Sequence, residues 1–320
     1  MKIAVIGLGM MGAFYSRILA DMLGPENVIG VEIDRERATG VSEATGIRHV
    51  DDWKALVGEV DAVTVTLPDH LHVEPAVAFL QAGAYVLVEK PLATSTGDSQ
   101  IILDAQVEPG RLMVAQILRF DPRLQELKRQ IEAGELGALR YLKIWRSNST
   151  ATAERVVSRV SVNGFLGIHD LDLLLWLTGQ EARTVTSSGG KFLGNDWDLT
   201  VSTLTMSGGT IAQVENHWLL HPAAQRSLLA GVQVFGEEGM ALLDLSTQEL
   251  EVVSTREPRT RRVDTHNWSF DDRMSAGNLR REISAFVDAV GTRGAVPVSG
   301  EEGAEAVALM ERVNEALDDQ

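Results

Sequence analysis

The sequence predicts two folds in series. A doubly wound, parallel α/β layer occupies residues 1–119, and an α+β unit with a mostly antiparallel sheet occupies 120–320. Three observations predict this. Short, nearly all-apolar runs alternate with helical patterns through residues 2–119, as strands covered on both faces do in parallel sheets. From 182 to 255 the rhythm changes to an approximate period of two between Gly- and Asp-rich breaks, which suits strands with one wet face. A strand, a glycine loop and a helix open the chain in the order a βαβ unit requires.

In the first unit the strands are KIAVIG, NVIGVEI, DAVTVTL, AYVLVE and RLMVAQI. The helices between them are GMMGAFYSRILADML, DRERATGVSEATG, HLHVEPAVAFLQAG and TGDSQIILDAQ, a spacing that suits right-handed crossovers. Arg119-Phe120-Asp121-Pro122 reads as the exit. A helix (PRLQELKRQIEAG, stopped by Gly134) then leads to the strand YLKIWRSN, a polar stretch over 147–163 and a second helix closed by Gly179. Strand-like runs follow, with MSGGT at 206–210 as a hairpin turn. Two C-terminal helices, REISAFVDAVGTRG and EEGAEAVALMERVNEAL, complete the chain and are placed to pack back on the first domain.

Composition narrows the function. With 320 residues and 44% hydrophobic content the chain can bury sizeable cores. A net charge of −16 repels phosphate, so neither nucleic acid nor an anionic membrane surface is an expected partner. The absence of cysteine removes disulfides and thiolate chemistry and fits a reducing compartment. No stretch approaches the ~18 apolar residues of a membrane span. A soluble, cytoplasmic protein is expected.

In VIGLGMMGAF (5–14), Gly7 permits a tight turn and Gly9 lets backbone approach a pyrophosphate. Gly12 lets helix pack on strand, and Met10 and Met11 begin that helix, whose amides face the phosphates. Glu32 ends the second strand 25 residues after Gly7, and Asp34 follows. A carboxylate there accepts from ribose hydroxyls and favours NAD, while the neighbouring Arg35 keeps NADP open. The plainer alternative is a structural turn with a chance acid downstream. VEKPLA (88–93) brings Glu89, Lys90 and Pro91 to the carboxyl edge of the sheet, where ligands of open parallel sheets bind. A lysine there can stabilise an alkoxide as hydride leaves; the plainer alternative is a solvated strand-end lysine.

The glycine loop, TLPDHLHVEPAVAFLQAGAYVLVEKPLA (66–93), RFDPRLQELKRQIEAGELG (119–137) and GIHDLDLLLWLTG (167–179) occur in this order. Together they resemble the glucose–fructose oxidoreductase/inositol dehydrogenase/MocA family. The resemblance implies a Rossmann domain, a second domain with an open antiparallel sheet, and NAD(P)-dependent chemistry on secondary alcohols of sugars, cyclitols or nucleotide sugars. It also implies homodimers or homotetramers built through that sheet. Lys90 matches the catalytic lysine, Pro91 the proline after it, His169 the acid/base histidine and Asp172 the acid one turn on.

The residues agree in part: 169 and 172 stand i, i+3 on one helix face, where a carboxylate can hold a histidine's tautomer. The chain departs from the family at Phe165, where many members carry aspartate. Acid/base work then falls to Lys90 and His169, with Asn163 or Glu154 as replacement polar groups. Pro68, Asp69 and His72 follow the strand DAVTVTL, where the family passes nicotinamide and its ribose. Arg119 ends the last strand of this unit and is placed to reach substrate, cofactor or an acid at the domain junction. Arg146, His217, Trp218 and Arg226 lie where second-domain strands could wall a substrate cleft or simply pack. No metal-binding pattern is present.

The function expected is an NAD(P)-dependent oxidoreductase interconverting alcohol and ketone on a polyhydroxylated ring, with Lys90 and His169 serving one nicotinamide. Two other classes stay open: a glycosidase or lyase that retains NAD through transient ring oxidation, and a non-catalytic dinucleotide-binding sensor.

Overall fold

The computed structural model describes residues 1–156, 160–194, 196–221, 223, 228–246, 249–254, 259–262, 269–270 and 275–319. The chain divides into two compact units, Met1–Phe120 with His266–Val307 and Asp121–Thr265 with Ala308–Gln320.

The first unit is built on a six-stranded parallel sheet ordered β3-β2-β1-β4-β5-β6. Its strands are β1 (Ile3–Ile6), β2 (Val28–Val31), β3 (Arg48–Val50), β4 (Ala62–Val65), β5 (Tyr85–Glu89) and β6 (Leu112–Ala115). All but β3 are buried almost throughout, which explains their unbroken apolar runs. Strand β3 went unannounced because it is a polar edge strand, Arg-His-Val, with its first two residues exposed. The crossovers are α1 (Met10–Leu23), α2 (Arg35–Thr45), α3 (Val73–Gln81) and α4 (Thr96–Asp104). Helix α2 starts where Asp34 accepts the Arg37 N–H at 3.1 Å, and α4 where Ser95 accepts that of Asp98 at 3.0 Å. The strand order reverses direction between β1 and β4, so the loops after these strands flank the switch point where such sheets take ligands. Thr66 ties those two loops together, its hydroxyl donating to Gly7 O at 2.6 Å.

The second unit begins with α5 (Pro122–Glu132), capped by the Asp121 carboxylate. Strand β7 (Leu139–Ser149) follows, then α6 (Thr150–Val156) inside the stretch read only as polar, a wide π-type turn (Asn163–Gly167) and α7 (Ile168–Thr178). Gly179, at φ 61°, ends α7 in the left-handed conformation glycine favours. Strands β8 (Ala182–Gly190), β9 (Leu199–Met206), β10 (Ile211–Leu220), β11 (Leu228–Gly236), β12 (Gly239–Asp244), β13 (Glu249–Ser254) and β14 (Arg259–Arg262) join β7 in one sheet. Its order is β14-β13-β12-β11-β7-β10-β9-β8. Every pairing is antiparallel except β7 with β10. The hairpin at 206–210 closes with Met206 N–H donating to Thr210 O at 2.8 Å. One face buries Leu142, Ile144, Ala212, Val214, Val232 and Val234, and α7 packs on β7 and β10.

The chain then returns to the first unit with the short pair β15 (Ser269–Phe270) and β16 (Ser275–Ala276) and with α8 (Asn278–Thr292), which packs on α1. The division between units falls inside the last helix, α9 (Gly300–Asp318). Among the described residues no helix is long and apolar enough to cross a membrane.

Candidate functional site

The glycine turn has the geometry a diphosphate cradle needs. Gly7 sits at φ 88°, and its N–H donates to Val31 O at 2.9 Å. A methyl group at Gly12 would stand 1.8 Å from Gly7 O, so helix and turn touch backbone to backbone. Gly9 is different: a methyl there meets nothing within 4 Å. Gly9 is also the N-cap of α1, with no side chain capping the helix's first amides, which leaves them to an anion. Met10 is exposed and Met11 half-buried beside it.

Glu32 is buried and stitches the end of β2 to this turn. Its Oε2 accepts from Leu8 N–H and Arg37 Nη1, both at 3.0 Å, and its Oε1 accepts from Asp34 N–H at 3.1 Å. Each carboxylate oxygen takes two donors, so Oε1 retains room for a ribose hydroxyl. Asp34 caps α2, and Arg35 points into solvent from the first turn. The arginine that pairs with both acids is Arg37, which the sequence reading passed over. These residues fit a dinucleotide.

Strand β5 carries Glu89 and Lys90 to the same edge. Lys90 is half-buried, its N–H donates to Glu89 Oε2 at 3.1 Å, and the Lys90–Pro91 peptide is cis. Burial raises the Glu89 carboxyl above its usual range, against the pull of the Lys90 ammonium. Tyr15 of α1 and Glu282 of α8, both fully buried, belong to this cluster; the Tyr15 hydroxyl donates to Glu282 Oε1 at 3.3 Å. Burial and then Glu89 push the Glu282 carboxyl well above the glutamate range. Sequence reasoning missed Glu282 because nothing local links it to a strand end almost two hundred residues earlier.

His72 corrects one expectation. Its ring is buried and points at backbone rather than at the cofactor edge: Nδ1 lies 3.0 Å from Pro91 O and Nε2 2.9 Å from Leu67 O. Pro68 stands exposed in the loop between them, and Asp69 opens the short turn before α3. Arg119 lies in a short turn after β6, not in the strand, and forms an ion pair with Glu302 in the same unit.

In the second unit the wide turn at 163–167 delivers His169 as the second residue of α7, half-buried. Asp172, one turn on, is buried. The residue the sequence reading overlooked is Asp170. Arg146 grips it through Nε at 3.0 Å and Nη2 at 2.8 Å, and Asn216 Nδ2 donates to its other oxygen at 2.6 Å. All three side chains are buried. This pins the first turn of α7, with His169 on it, to β7 and β10. Burial raises the Asp170 carboxyl while Arg146 and Asn216 oppose that rise. The available signal was the HDLD doublet of acids, read for its i, i+3 member alone.

Arg146 therefore serves Asp170. Asn163 is buried too, donating to Asn314 at 2.7 Å and accepting from Thr200 at 2.8 Å. Phe165 packs its ring 5.3 Å from that of Trp218, beside Ala153, Val162 and Leu166. His217 accepts from Leu219 N–H at its Nδ1, which leaves the proton on Nε2 for Ser147 Oγ at 2.8 Å. Glu154 is exposed on α6, and Arg226 lies outside the described residues.

Residues 1–116 match the Gfo/Idh/MocA oxidoreductase family with its NAD-binding Rossmann fold, and residues 124–242 match that family's C-terminal domain. The chain belongs to the Gfo/Idh/MocA oxidoreductase family. Inositol 2-dehydrogenase 2 of Saccharopolyspora erythraea is 37% identical over 193 residues, 58% of this chain and 56% of that protein, so the match spans little more than half of that relative. UDP-N-acetylglucosamine 3-dehydrogenase of Acidithiobacillus ferrooxidans is 28% identical over 320 residues, 99% of this chain and 97% of the other. A solved structure of that enzyme aligns over 100% of this chain and 98% of its own with a TM-score of 0.83 at 26% identity. In this Gfo/Idh/MocA chain the NAD-binding match contains the glycine turn, Glu32 and Lys90, and the C-terminal match contains His169 and the Arg146–Asp170–Asn216 network.

Proposed function

We propose that this chain is an NAD-dependent dehydrogenase that interconverts a secondary alcohol and a ketone on a polyhydroxylated ring: a sugar, a nucleotide sugar or a cyclitol. The observation that carries this is the one sheet edge that presents an open glycine turn, an acid with room for a ribose hydroxyl, and Lys90. The names of the relatives, an inositol and a UDP-sugar dehydrogenase, support the ring class.

A bound NAD would supply hydride transfer to or from the carbinol carbon. Gly7, Gly9 and the first amides of α1 would hold its diphosphate, and Glu32 would take its adenosine ribose. The Lys90 ammonium donates to the carbinol oxygen and stabilises the negative charge that develops there. His169 takes the hydroxyl proton and returns it in the reverse direction. Asp170, locked by Arg146 and Asn216, positions His169 from the neighbouring residue, and Asp172 supports it one turn on. Arg119, Arg146 and Asn163 leave the substrate set, because their polar groups already serve the fold.

We also propose assembly into homodimers or homotetramers through the face of the second sheet that carries Lys143 and Glu215, tested by light scattering of the purified chain. The activity is tested by a spectrophotometric screen for NADH and NADPH formation across polyols, free sugars, sugar phosphates and UDP-sugars. With the substrate so found, Lys90→Ala is expected to lower kcat by about a hundredfold or more and to leave NADH affinity within about twofold. An active Lys90→Ala enzyme overturns the assignment.

A further inference from the structure

We propose that His72 is a positioning residue that locks the Lys90–Pro91 corner to the loop after β4 through a doubly protonated ring, making the lock proton-dependent. This rests on the role proposed for Lys90.

The ring is 1% exposed, so water cannot replace a missing partner. Nδ1 faces Pro91 O at 3.0 Å, with Leu92 O at 3.4 Å, and Nε2 faces Leu67 O at 2.9 Å. Carbonyl oxygens only accept. A neutral imidazole has one N–H, so it satisfies one side and turns a nitrogen lone pair toward an oxygen lone pair on the other. Only an imidazolium donates to both.

The two carbonyls belong to segments leaving the carboxyl ends of adjacent strands, β4 and β5, beyond the last strand pairing at Val65 and Val88. Leu67 precedes Pro68, and Pro91 follows Lys90. The ring thus sets the spacing between the loop proposed for nicotinamide and the lysine proposed for the substrate oxygen.

Of the neighbouring titratable groups, Asp69 in the turn before α3 acts on the ring and itself pairs with His70, whose Nδ1 lies 3.4 Å from Asp69 Oδ1; Glu74 stands exposed within α3, and Glu89 and Lys90 precede Pro91 in the chain. Burial lowers the pKa of His72, while the three carbonyls and Asp69 oppose that with a smaller combined effect. The complete lock therefore forms on the acid side of the ordinary histidine range, and the neutral ring holds one loop at a time.

The test uses the full chain carrying ring-¹⁵N histidine and ¹³C-carbonyl leucine and proline, titrated from about pH 5 to 8 with and without NADH. His72→Gln and His72→Asn assign the signals, each keeping a donor for one side only. The expected result is a ring protonated on both nitrogens at the acid end, with the Leu67 and Pro91 carbonyl shifts moving at the same midpoint. At the acid end, where the wild-type ring donates to both sides, both variants should lower kcat about ten- to a hundredfold; they should approach wild type toward neutrality, hold the NADH Kd within about twofold, and so lose the acid-side step of the kcat–pH profile. A ring with one proton across the whole range and static carbonyl shifts overturns the proposal. So does a variant that keeps the wild-type pH profile. The NMR signals need no turnover, so an error in the Lys90 assignment leaves them unchanged and is recognised separately by Lys90→Ala.

Discussion

Adding one methyl group at Gly9 and, separately, one at Gly12 distinguishes a cofactor cradle from a merely structural turn. At Gly12 the new carbon would stand 1.8 Å from Gly7 O and 2.8 Å from Thr66 Oγ1. Helix and turn must part, at a cost of about 1–3 kcal/mol or more, which lowers Tm by roughly 2–12 °C for a unit of this size. At Gly9 nothing lies within 4 Å, and φ −63° is open to alanine. Alanine is a poorer N-cap than glycine by some tenths of a kcal/mol, and the stiffer unfolded chain offsets roughly 0.4–1 kcal/mol. The Tm of Gly9→Ala should therefore stay within about 2 °C of wild type. If the diphosphate lies on that turn, the same methyl occupies its contact surface. A crowding cost of about 1–3 kcal/mol weakens NADH binding roughly 5- to 150-fold. Thermal melts and NADH fluorescence titrations read the two effects separately. A folded Gly9→Ala protein with wild-type NADH affinity refutes the cradle.

Two further outcomes follow from buried charge. Asp170→Asn leaves the Arg146 guanidinium buried without its counter-charge and should cost about 3–5 kcal/mol in urea unfolding, while Arg146→Met with Asp170→Leu should recover most of it; a single variant within ~1 kcal/mol of wild type refutes the network. Glu282 keeps its proton in the folded state because its carboxyl is held well above the glutamate range by burial and then by Glu89. The unfolded chain releases that proton above about pH 4.3. The folded state thus binds more protons, and wild-type stability falls as pH rises from there toward the folded pKa. Glutamine cannot ionise, so Glu282→Gln should equal wild type near pH 4 and grow more stable relative to it toward neutrality. Denaturation curves with no pH-dependent gap rule this out.

Much of the first unit was legible because its signals are local. The strands announce themselves as apolar runs, and the glycine turn as three glycines whose spacing the βαβ geometry demands. Strand β3 was hidden because an edge strand with a wet face carries little hydrophobic pattern. Helix α6 was hidden in a polar stretch because, among its own described residues, only Ala153 is buried. Lys90 and His169 stood out by motif. Asp170 did not, because its meaning depends on Arg146 and Asn216, each more than twenty residues away in sequence.

What the chain's linear order determined alone was the class of each unit and the place of the glycine turn between β1 and α1, since strand burial and turn geometry act over a few neighbouring residues. What tertiary structure decided was the work of the buried polar groups. Whether Arg146, Asn163 or His72 meets a substrate or a neighbouring residue depends on which acceptors a fold brings within 3 Å, and for side chains out of water those partners set both orientation and charge.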